Sequence, residues 1–253
     1  MAISYSIVIP AFNEAQTLPD TLANLRAAMS AVEPEHGVGE IVVVDNNSSD
    51  DTAEFATQHG ADRVVFEPVN QIGRARNAGA AQADPSSSYL LFVDADTRVS
   101  AELLVEALRR LEQGDAGGGA RVTFDEAVGW LPGLFCFVWN WVSRSRNLAA
   151  GCFLFCRRDA FEAVGGFDLR YLIKEELYLS SALKKWGVER DQRFEVFQDP
   201  PVVTSNRKLD RFAREVPRVL MAGFLPWASR SRWFCRYWYG LRGEAKSASA
   251  QAP

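Results

Sequence analysis

Short apolar runs alternate with helix-like stretches through the first half of the chain, and this alternation limits the folds open to it. The runs are YSIVIP, EIVVVD, RVVFEP and YLLFVD, which begin at residues 5, 40, 63 and 89. Apolar residues after the first run recur at helical spacing: Leu18, Leu22, Leu25, Met29 and Val32. Strands that are apolar throughout and separated by helices are typical of a parallel sheet covered on both faces. The sequence therefore predicts an α/β fold.

Polar side chains follow three of these apolar runs at the point where each predicted strand ends. They are the turn from Pro10 to Glu14, Asp45 after the second run, and the pair Asp94 and Asp96 after the fourth. Ligands of open α/β sheets bind in the crevice outside the carboxyl ends of the strands. We expect these residues to line one such crevice.

The pair Asp94 and Asp96 has three interpretations: a helix cap, a phosphatase nucleophile or a metal site. Like charges this close repel each other unless a cation neutralises them. A hard divalent ion such as Mg²⁺ or Mn²⁺, held by one or two carboxylates and substrate phosphates, suits the pair. The sequence DADT also matches the nucleophile motif of haloacid-dehalogenase-like phosphatases, in which it normally follows the first strand. Here three strand–helix units precede it, which favours the metal site.

Composition and missing motifs exclude several classes of protein. A net charge of −4, with acidic and basic residues interspersed, argues against a general nucleic-acid binder. Four cysteines without a C-x-x-C pair and only two histidines argue against a zinc site. No dinucleotide-binding fingerprint, P-loop or nucleophile elbow occurs. The N-terminus resembles no signal peptide, and no apolar run reaches the roughly 18 residues of a membrane span, so we expect a cytoplasmic protein.

Six motifs occur in a fixed order: SIVIPAFNEAQTL, IVVVDNNSSDDT, NQIGRARNAG, LLFVDADT, AVGGFD and KEELYLSSALKKWG. Together they resemble family 2 glycosyltransferases of the GT-A fold, over about residues 4 to 187. The resemblance implies a Rossmann-like, mostly parallel mixed sheet with helices on both faces. It also implies transfer of a sugar, with inversion, from a nucleotide sugar to an acceptor hydroxyl.

The resemblance assigns the donor site to the first four motifs. Pro10, Ala11, Glu14 and Asp45 match the positions that cradle the nucleotide base and ribose. The third motif maps onto Asn70, Gly73, Arg74, Arg76, Asn77 and Gly79. An arginine beside a diphosphate makes charge-assisted contacts, so Arg74 and Arg76 are expected at the diphosphate. The donor is expected to be UDP- or GDP-linked.

The resemblance also assigns the metal site and the catalytic base. Asp94 and Asp96 match the D-x-D motif, which holds a divalent ion, Mn²⁺ or Mg²⁺, against the diphosphate. Glu175 and Glu176 stand where the family has its catalytic base, usually an aspartate. Because Glu176 is one methylene longer than that aspartate, which of the two glutamates is the base stays open.

A second departure from the family is the missing downstream histidine that often completes the metal shell. The segment from Val202 to Lys208 occupies about that place. The metal ligand in place of this histidine is alternatively water, Ser205 or Asn206. Arg207 or Lys208 is a further candidate for the diphosphate.

The predicted organisation is a GT-A catalytic domain over residues 1–208, with a nucleotide-binding half (1–115) and an acceptor half (116–208). A C-terminal helical extension (209–243) and a disordered tail (244–253) follow. Residues 217–243 combine aromatic residues and arginines with no acidic residue. This composition favours contact with the inner face of the membrane, or else packing of a C-terminal lobe.

The acceptor is expected to be a glycan or a lipid, and the oligomeric state is open. The segment SRSRW at residue 229 lacks the Gln of the processive synthases' Q-x-x-R-W motif, so transfer of a single sugar is favoured. A non-catalytic nucleotide-sugar-binding module and a phosphatase remain the alternatives.

Overall fold

The structure, a computed structural model, describes residues 3–207 and Arg230. The predicted helical extension at 209–243 and tail at 244–253 lie outside the described residues, Arg230 excepted. Lys208 and nearly all of the 217–243 segment lie outside them too. Those expectations therefore remain predictions from sequence.

The described chain alternates strands and helices as the sequence predicts. The strands are β1 (Tyr5–Ala11), β2 (Gly39–Asp45), β3 (Arg63–Phe66), β4 (Tyr89–Val93), β5 (Thr97–Arg98), β6 (Gly117–Phe124), β7 (Phe153–Arg157) and β8 (Phe194–Thr204). The helices are α1 (Leu18–His36), α2 (Thr52–Gln58), α3 (Ile72–Gln82), α4 (Ala101–Glu112), α5 (Trp130–Arg146), α6 (Arg158–Ala163) and α7 (Glu175–Val188).

All eight of these strands belong to one mixed sheet in the order β3-β2-β1-β4-β7-β6-β8-β5. Strands β3, β2, β1 and β4 are mutually parallel, and β7 then pairs antiparallel with both β4 and β6. The predicted mixed α/β sheet is confirmed. Strands from residues 1–115 and 116–208 share this sheet, so the two proposed halves differ in assigned role and not in their core.

Helices cover both faces of the sheet. On one face α1 and α4 pack through residues such as Leu22 and Leu104 against Ile7 of β1. On the other face α3 and α7 pack through residues such as Ala75 and Leu183 against Val8. Alternate residues of one strand thus enter two apolar layers, as burial on both faces requires.

Three elements were not anticipated from the sequence. The aromatic-rich stretch after residue 129 forms α5, the stretch from Phe194 forms β8, and Thr97 and Arg98 form the short strand β5. Pairing of β6 with β8 skips from Ala120–Phe197 to Val122–Val202. The two prolines of β8 lie within this interruption, where no regular ladder bond is required of them.

Candidate active site

The ends of β1 and β2 bring the predicted nucleotide residues side by side. Ala11 is the register partner of Asp45, and Pro10 that of Val44. The Ala11 carbonyl accepts from Asn46 N at 2.8 Å, and Asp45 Oδ1 accepts from Ser48 N at 3.0 Å. Ala11 and Asp45 are both buried. A carboxylate is therefore fixed at the rim of the crevice by its own turn.

Two buried polar residues that sequence reasoning missed hold this rim together. The Asn46 side chain donates to the Glu67 and Val69 carbonyls and accepts from Gln71 N. Gln71 Nε2 in turn donates to the Leu169 and Tyr171 carbonyls, at 2.8 and 3.0 Å. Of the two asparagines that follow Asp45, Asn46 makes these bonds, whereas Asn47 is only half-buried. In the sequence, only the position of Asn46 next to Asp45 indicated its role.

Arg76 lies at the centre of the site and is 1% exposed. Its Nη1 lies 2.9 Å from Glu175 Oε1, and its Nη2 lies 2.9 Å from Asp94 Oδ1 and 2.7 Å from the Gly151 carbonyl. Burial opposes its charge, yet Asp94, Glu175 and Glu176 raise the pKa of Arg76. We call Arg76, Asp94, Glu175 and Glu176 the Arg76 cluster. The guanidinium is engaged by protein groups rather than open toward a diphosphate.

The two glutamates of the Arg76 cluster differ in environment. Glu175 is 3% exposed, and its Oε2 has no hydrogen-bond partner among the described residues. Burial, and then the Glu176 carboxylate, raises the pKa of Glu175 to about 8 despite the Arg76 guanidinium. Burial also raises the pKa of Glu176, against the lowering influence of Arg76. Glu176 is nevertheless half-buried, so it is the more accessible of the two glutamates.

Gly151, just before β7, lies close to both Arg76 and Glu176. A Cβ placed on Gly151 would lie 3.0 Å from Arg76 Nη2 and 3.7 Å from Glu176 Cδ. The absence of a side chain at this position leaves room for the guanidinium and the Glu176 carboxylate together.

Asp96 faces a different cation. Arg207, three residues after β8, forms an ion pair with Glu14 and lies 3.3 Å, Nη2 to Oδ2, from Asp96. The Asp96 carbonyl accepts from Ser205 N at 3.1 Å. The segment after β8 is thus brought against Asp96. Ser205 reaches it through the backbone.

The donor set of Asp94 and Asp96 fits a hard divalent ion that takes its remaining ligands elsewhere. Both residues offer carboxylate oxygens, and Mg²⁺ or Mn²⁺ is commonly bound by one or two carboxylates plus substrate phosphates. Among residues 3–207 and Arg230, no group of three or more His, Cys, Asp or Glu side chains is arranged to hold a metal. Substrate and water would have to complete the shell.

The other residues of the third motif have mainly structural contacts. Arg74 Nε lies 3.2 Å from Glu67 Oε1, with the arginine side chain 38% exposed. A Cβ on Gly79 would lie 2.3 Å from Val8 Cγ1, so this glycine lets α3 lie close on the sheet. Gly73 meets no such obstacle and lies beside Glu175. The Asn70 Oδ1 atom is buried with no partner among the described residues.

Asn77 fixes the glycine turn of the fifth motif. Its side chain donates to the Phe167 carbonyl and accepts from Phe167 N, each at 2.9 Å. Gly165 and Gly166 have positive φ values of 82° and 69°, where glycine is favoured. Asp168 accepts from Arg170 N at 3.0 Å, as expected of a turn residue. The turn places Phe167 under the Arg76 guanidinium, 5.2 Å from its ring centre.

Comparison with known proteins gives the family of the chain. The model of the family described as Glycosyl transferase family 2 matches residues 6–165. An uncharacterized glycosyltransferase of Mycobacterium bovis is 31% identical over 189 residues, which cover 72% of this chain and 81% of that protein.

Solved structures resemble the fold at low sequence identity. Staphylococcus aureus TarS has a TM-score of 0.61 at 17% identity, and the match covers 87% of this chain but only 40% of TarS. Glucosyl-3-phosphoglycerate synthase from Mycobacterium tuberculosis, in complex with Mn²⁺, UDP and glucosyl-3-phosphoglycerate, has a TM-score of 0.58 at 20% identity. That match covers 87% of this chain and 79% of the synthase.

The mixed sheet with an acidic crevice at its carboxyl-end edge is that of a GT-A glycosyltransferase, which confirms the predicted fold. The family match covers more than half of the chain. The protein belongs to glycosyl transferase family 2 and is a glycosyltransferase. The phosphatase and the non-catalytic module are set aside accordingly.

Proposed function

We propose that the protein moves a single sugar from a nucleoside diphosphate sugar to an acceptor hydroxyl, with inversion at the anomeric carbon and with a divalent cation at Asp94 and Asp96. Glu176 is the general base. The acceptor is a glycan or a lipid, and the donor is UDP- or GDP-linked, since structurally similar transferases were solved with UDP and with GDP-mannose.

One observation carries the proposal: a single guanidinium ties the D-x-D motif to the glutamate pair. Arg76 spans from Asp94 Oδ1 to Glu175 Oε1 with a distance of 2.9 Å at each end. Glu176 follows Glu175 in the first turn of α7. Through Glu175, Arg76 thus fixes the position of Glu176, which is assigned to the acceptor, relative to Asp94, which is assigned to the diphosphate.

The two glutamates have different roles in the proposed reaction: one is the general base, and the other holds it in position. Glu176 is half-buried, and in the proposed step it takes the proton of the acceptor hydroxyl. The acceptor oxygen forms a bond to the anomeric carbon as the bond from that carbon to the diphosphate oxygen breaks. Glu175, buried and paired with Arg76, is a positioning residue for Glu176.

The leaving diphosphate needs its growing negative charge neutralised. A divalent ion held by Asp94 and Asp96 would supply Lewis-acid stabilisation of that charge when bound. Arg207 is the second source of positive charge, because its side chain is 34% exposed and already lies beside Asp96. Asp45 is assigned to the base of the nucleotide, and Glu14, Pro10 and Ala11 to the wall beside it.

The test is transfer or hydrolysis of nucleotide sugars in the presence and absence of Mn²⁺. We expect turnover that requires Mn²⁺, that is lost in Asp96→Ala, and that falls by roughly 10²–10⁴-fold in Glu176→Gln. The anomeric configuration of the product, read by NMR, is expected to be opposite to that of the donor.

A matched variant is Asp159→Asn, which changes a carboxylate that is 57% exposed and paired with Arg157, and it should leave turnover near the wild-type value. Retention of configuration would refute inversion. Full activity of Glu176→Gln would refute the assignment of the base, and metal-independent turnover would refute the role of Asp94 and Asp96.

A further inference from the structure

Helix α5 carries five large apolar side chains on the side away from the protein. Trp130, Leu134, Phe137, Val138 and Trp141 are 80%, 51%, 69%, 49% and 67% exposed. Their positions follow the pattern i, i+4, i+7, i+8 and i+11, which places them on one face of a helix. We call these five residues the α5 stripe.

The opposite face of α5 holds the helix to the sheet with polar contacts. Asn140 accepts from Val122 N at 3.0 Å and donates to the Val122 carbonyl at 2.9 Å. Ser143 Oγ donates to the Leu148 carbonyl at 2.7 Å, and Ser143 is the helix's buried residue. Trp139 is the partly buried apolar residue of this face that packs on the core. A surface helix of a globular protein normally has the reverse arrangement.

Charge on α5 is entirely positive. The helix contains no acidic residue, and its last turn carries Arg144 and Arg146, both exposed. Arg144 lies three residues beyond Trp141 and continues the line of the α5 stripe. Lys184 of α7 donates to the Arg146 carbonyl, which adds a further cation near this end.

We propose that the α5 stripe is a contact surface for an anionic membrane. Tryptophan and phenylalanine beside arginine are the composition that inserts at the boundary between headgroups and acyl chains. The basic end of the helix complements anionic headgroups. A membrane contact needs no span, and among residues 3–207 and Arg230 no helix has the length and apolarity to cross a bilayer.

This surface is continuous in sequence with the candidate active site. Helix α5 ends at Arg146, and five residues later the Gly151 carbonyl accepts from Arg76. Docking through α5 would therefore set the catalytic crevice at a fixed distance from the lipid surface. The inference does not depend on the reaction catalysed, because it concerns binding alone.

The test is flotation of the full-length protein with vesicles of phosphatidylcholine, and with vesicles that also contain phosphatidylglycerol. We expect binding to the anionic vesicles and weaker binding to phosphatidylcholine alone. The double variant Phe137→Ser with Trp141→Ser should weaken binding roughly tenfold or more, and Arg144→Gln should reduce the preference for anionic vesicles. Val188→Ser, at an apolar residue 79% exposed on α7, is the matched control and should bind as the wild type does.

Three results would overturn the proposal. If the wild type and the double variant floated equally, or if neither floated, α5 would not be a membrane contact. A wild-type dimer that becomes monomeric in the double variant, seen by light scattering, would make the stripe an interface between copies. A lower Tm in the double variant without lipid would show that another part of the chain covers the stripe.

Discussion

Arg76 and Glu175 form an ion pair in which both side chains are almost fully buried, with 2% and 4% of their surfaces exposed and 2.9 Å between Nη1 and Oε1. Removing one member of a buried pair leaves the other charge uncompensated in a poorly solvating environment. The pair therefore governs both the stability of the site and the position of Glu176.

Arg76→Met is expected to lower the free energy of unfolding by about 3 kcal/mol, because Asp94 loses its buried cation and Glu175 loses the guanidinium that donates to it. Urea unfolding followed by circular dichroism measures this change. Arg74→Met is the matched control two residues away, since its pair with Glu67 is partly exposed, and it should cost less than about 1 kcal/mol. Equal effects of the two variants would contradict the central place of Arg76.

Stability should fall as the pH rises from about 5 to about 8. The pKa of Glu175 is about 8 in the folded protein and about 4.3 in an unfolded chain. Between these values the folded state holds a proton that the unfolded state has released, so the free energy of unfolding decreases with pH. Burial raises the pKa of Glu176 in the same direction.

Glu175→Gln should make this decline with pH shallower, as measured by urea unfolding at a series of pH values. Glu162→Gln is the control, because that side chain is 64% exposed and should leave the slope unchanged. The same slope in wild type and Glu175→Gln would show that Glu175 does not retain its proton on folding.

Much of this fold follows from local sequence patterns, because each predicted strand is an apolar run and each helix face a repeat at helical spacing. Helix α5 escaped such analysis because its apolar face points outward, so its pattern does not mark a core. Strand β8 escaped because Asp199, Pro200 and Pro201 interrupt it, and the skip in pairing with β6 that accommodates them is a tertiary feature.

For the site, sequence placed Asp94 and Asp96 at the end of a buried strand, where the structure has them. It indicated a divalent cation beside these two like charges, but not the two arginines that contact them. Arg76 reaches Asp94 from 18 residues away, and Arg207 reaches Asp96 from 111 residues away. Such partners depend on the topology of the sheet and leave no local pattern. Sequence reasoning expected Arg76 at the diphosphate and gave Arg207 or Lys208 as a further candidate; in the structure Arg76 contacts Asp94 and Arg207 contacts Asp96.

Gly151→Ala should slow turnover by roughly tenfold, because small displacements of positioned groups are costly to catalysis. The added methyl would lie 3.0 Å from Arg76 Nη2, which is shorter than an ordinary van der Waals contact, and would displace the guanidinium. Measured kcat should fall more than the affinity for the donor. Gly133→Ala, whose Cβ would meet only Val128 Cγ2 at 3.7 Å, should leave kcat unchanged; a similar loss there would mean that the effect of Gly151→Ala is nonspecific.

Arg207→Gln should have opposite effects on the metal and on the donor. Without donor, the Arg207 guanidinium beside Asp96 Oδ2 competes with a divalent cation for the same carboxylate. We therefore expect Mn²⁺ alone to bind several-fold more tightly to Arg207→Gln, as measured by calorimetry, since a nearby positive charge disfavours a second one.

With Mn²⁺ saturating, the variant should bind UDP more weakly, because a charge-assisted contact to the diphosphate is lost. Arg98→Gln removes an exposed charge from the neighbouring β5 and controls for net charge. If Arg207→Gln weakened both ligands, Arg207 would act by holding Glu14 and Asp96 in place rather than by exchanging one anion for another.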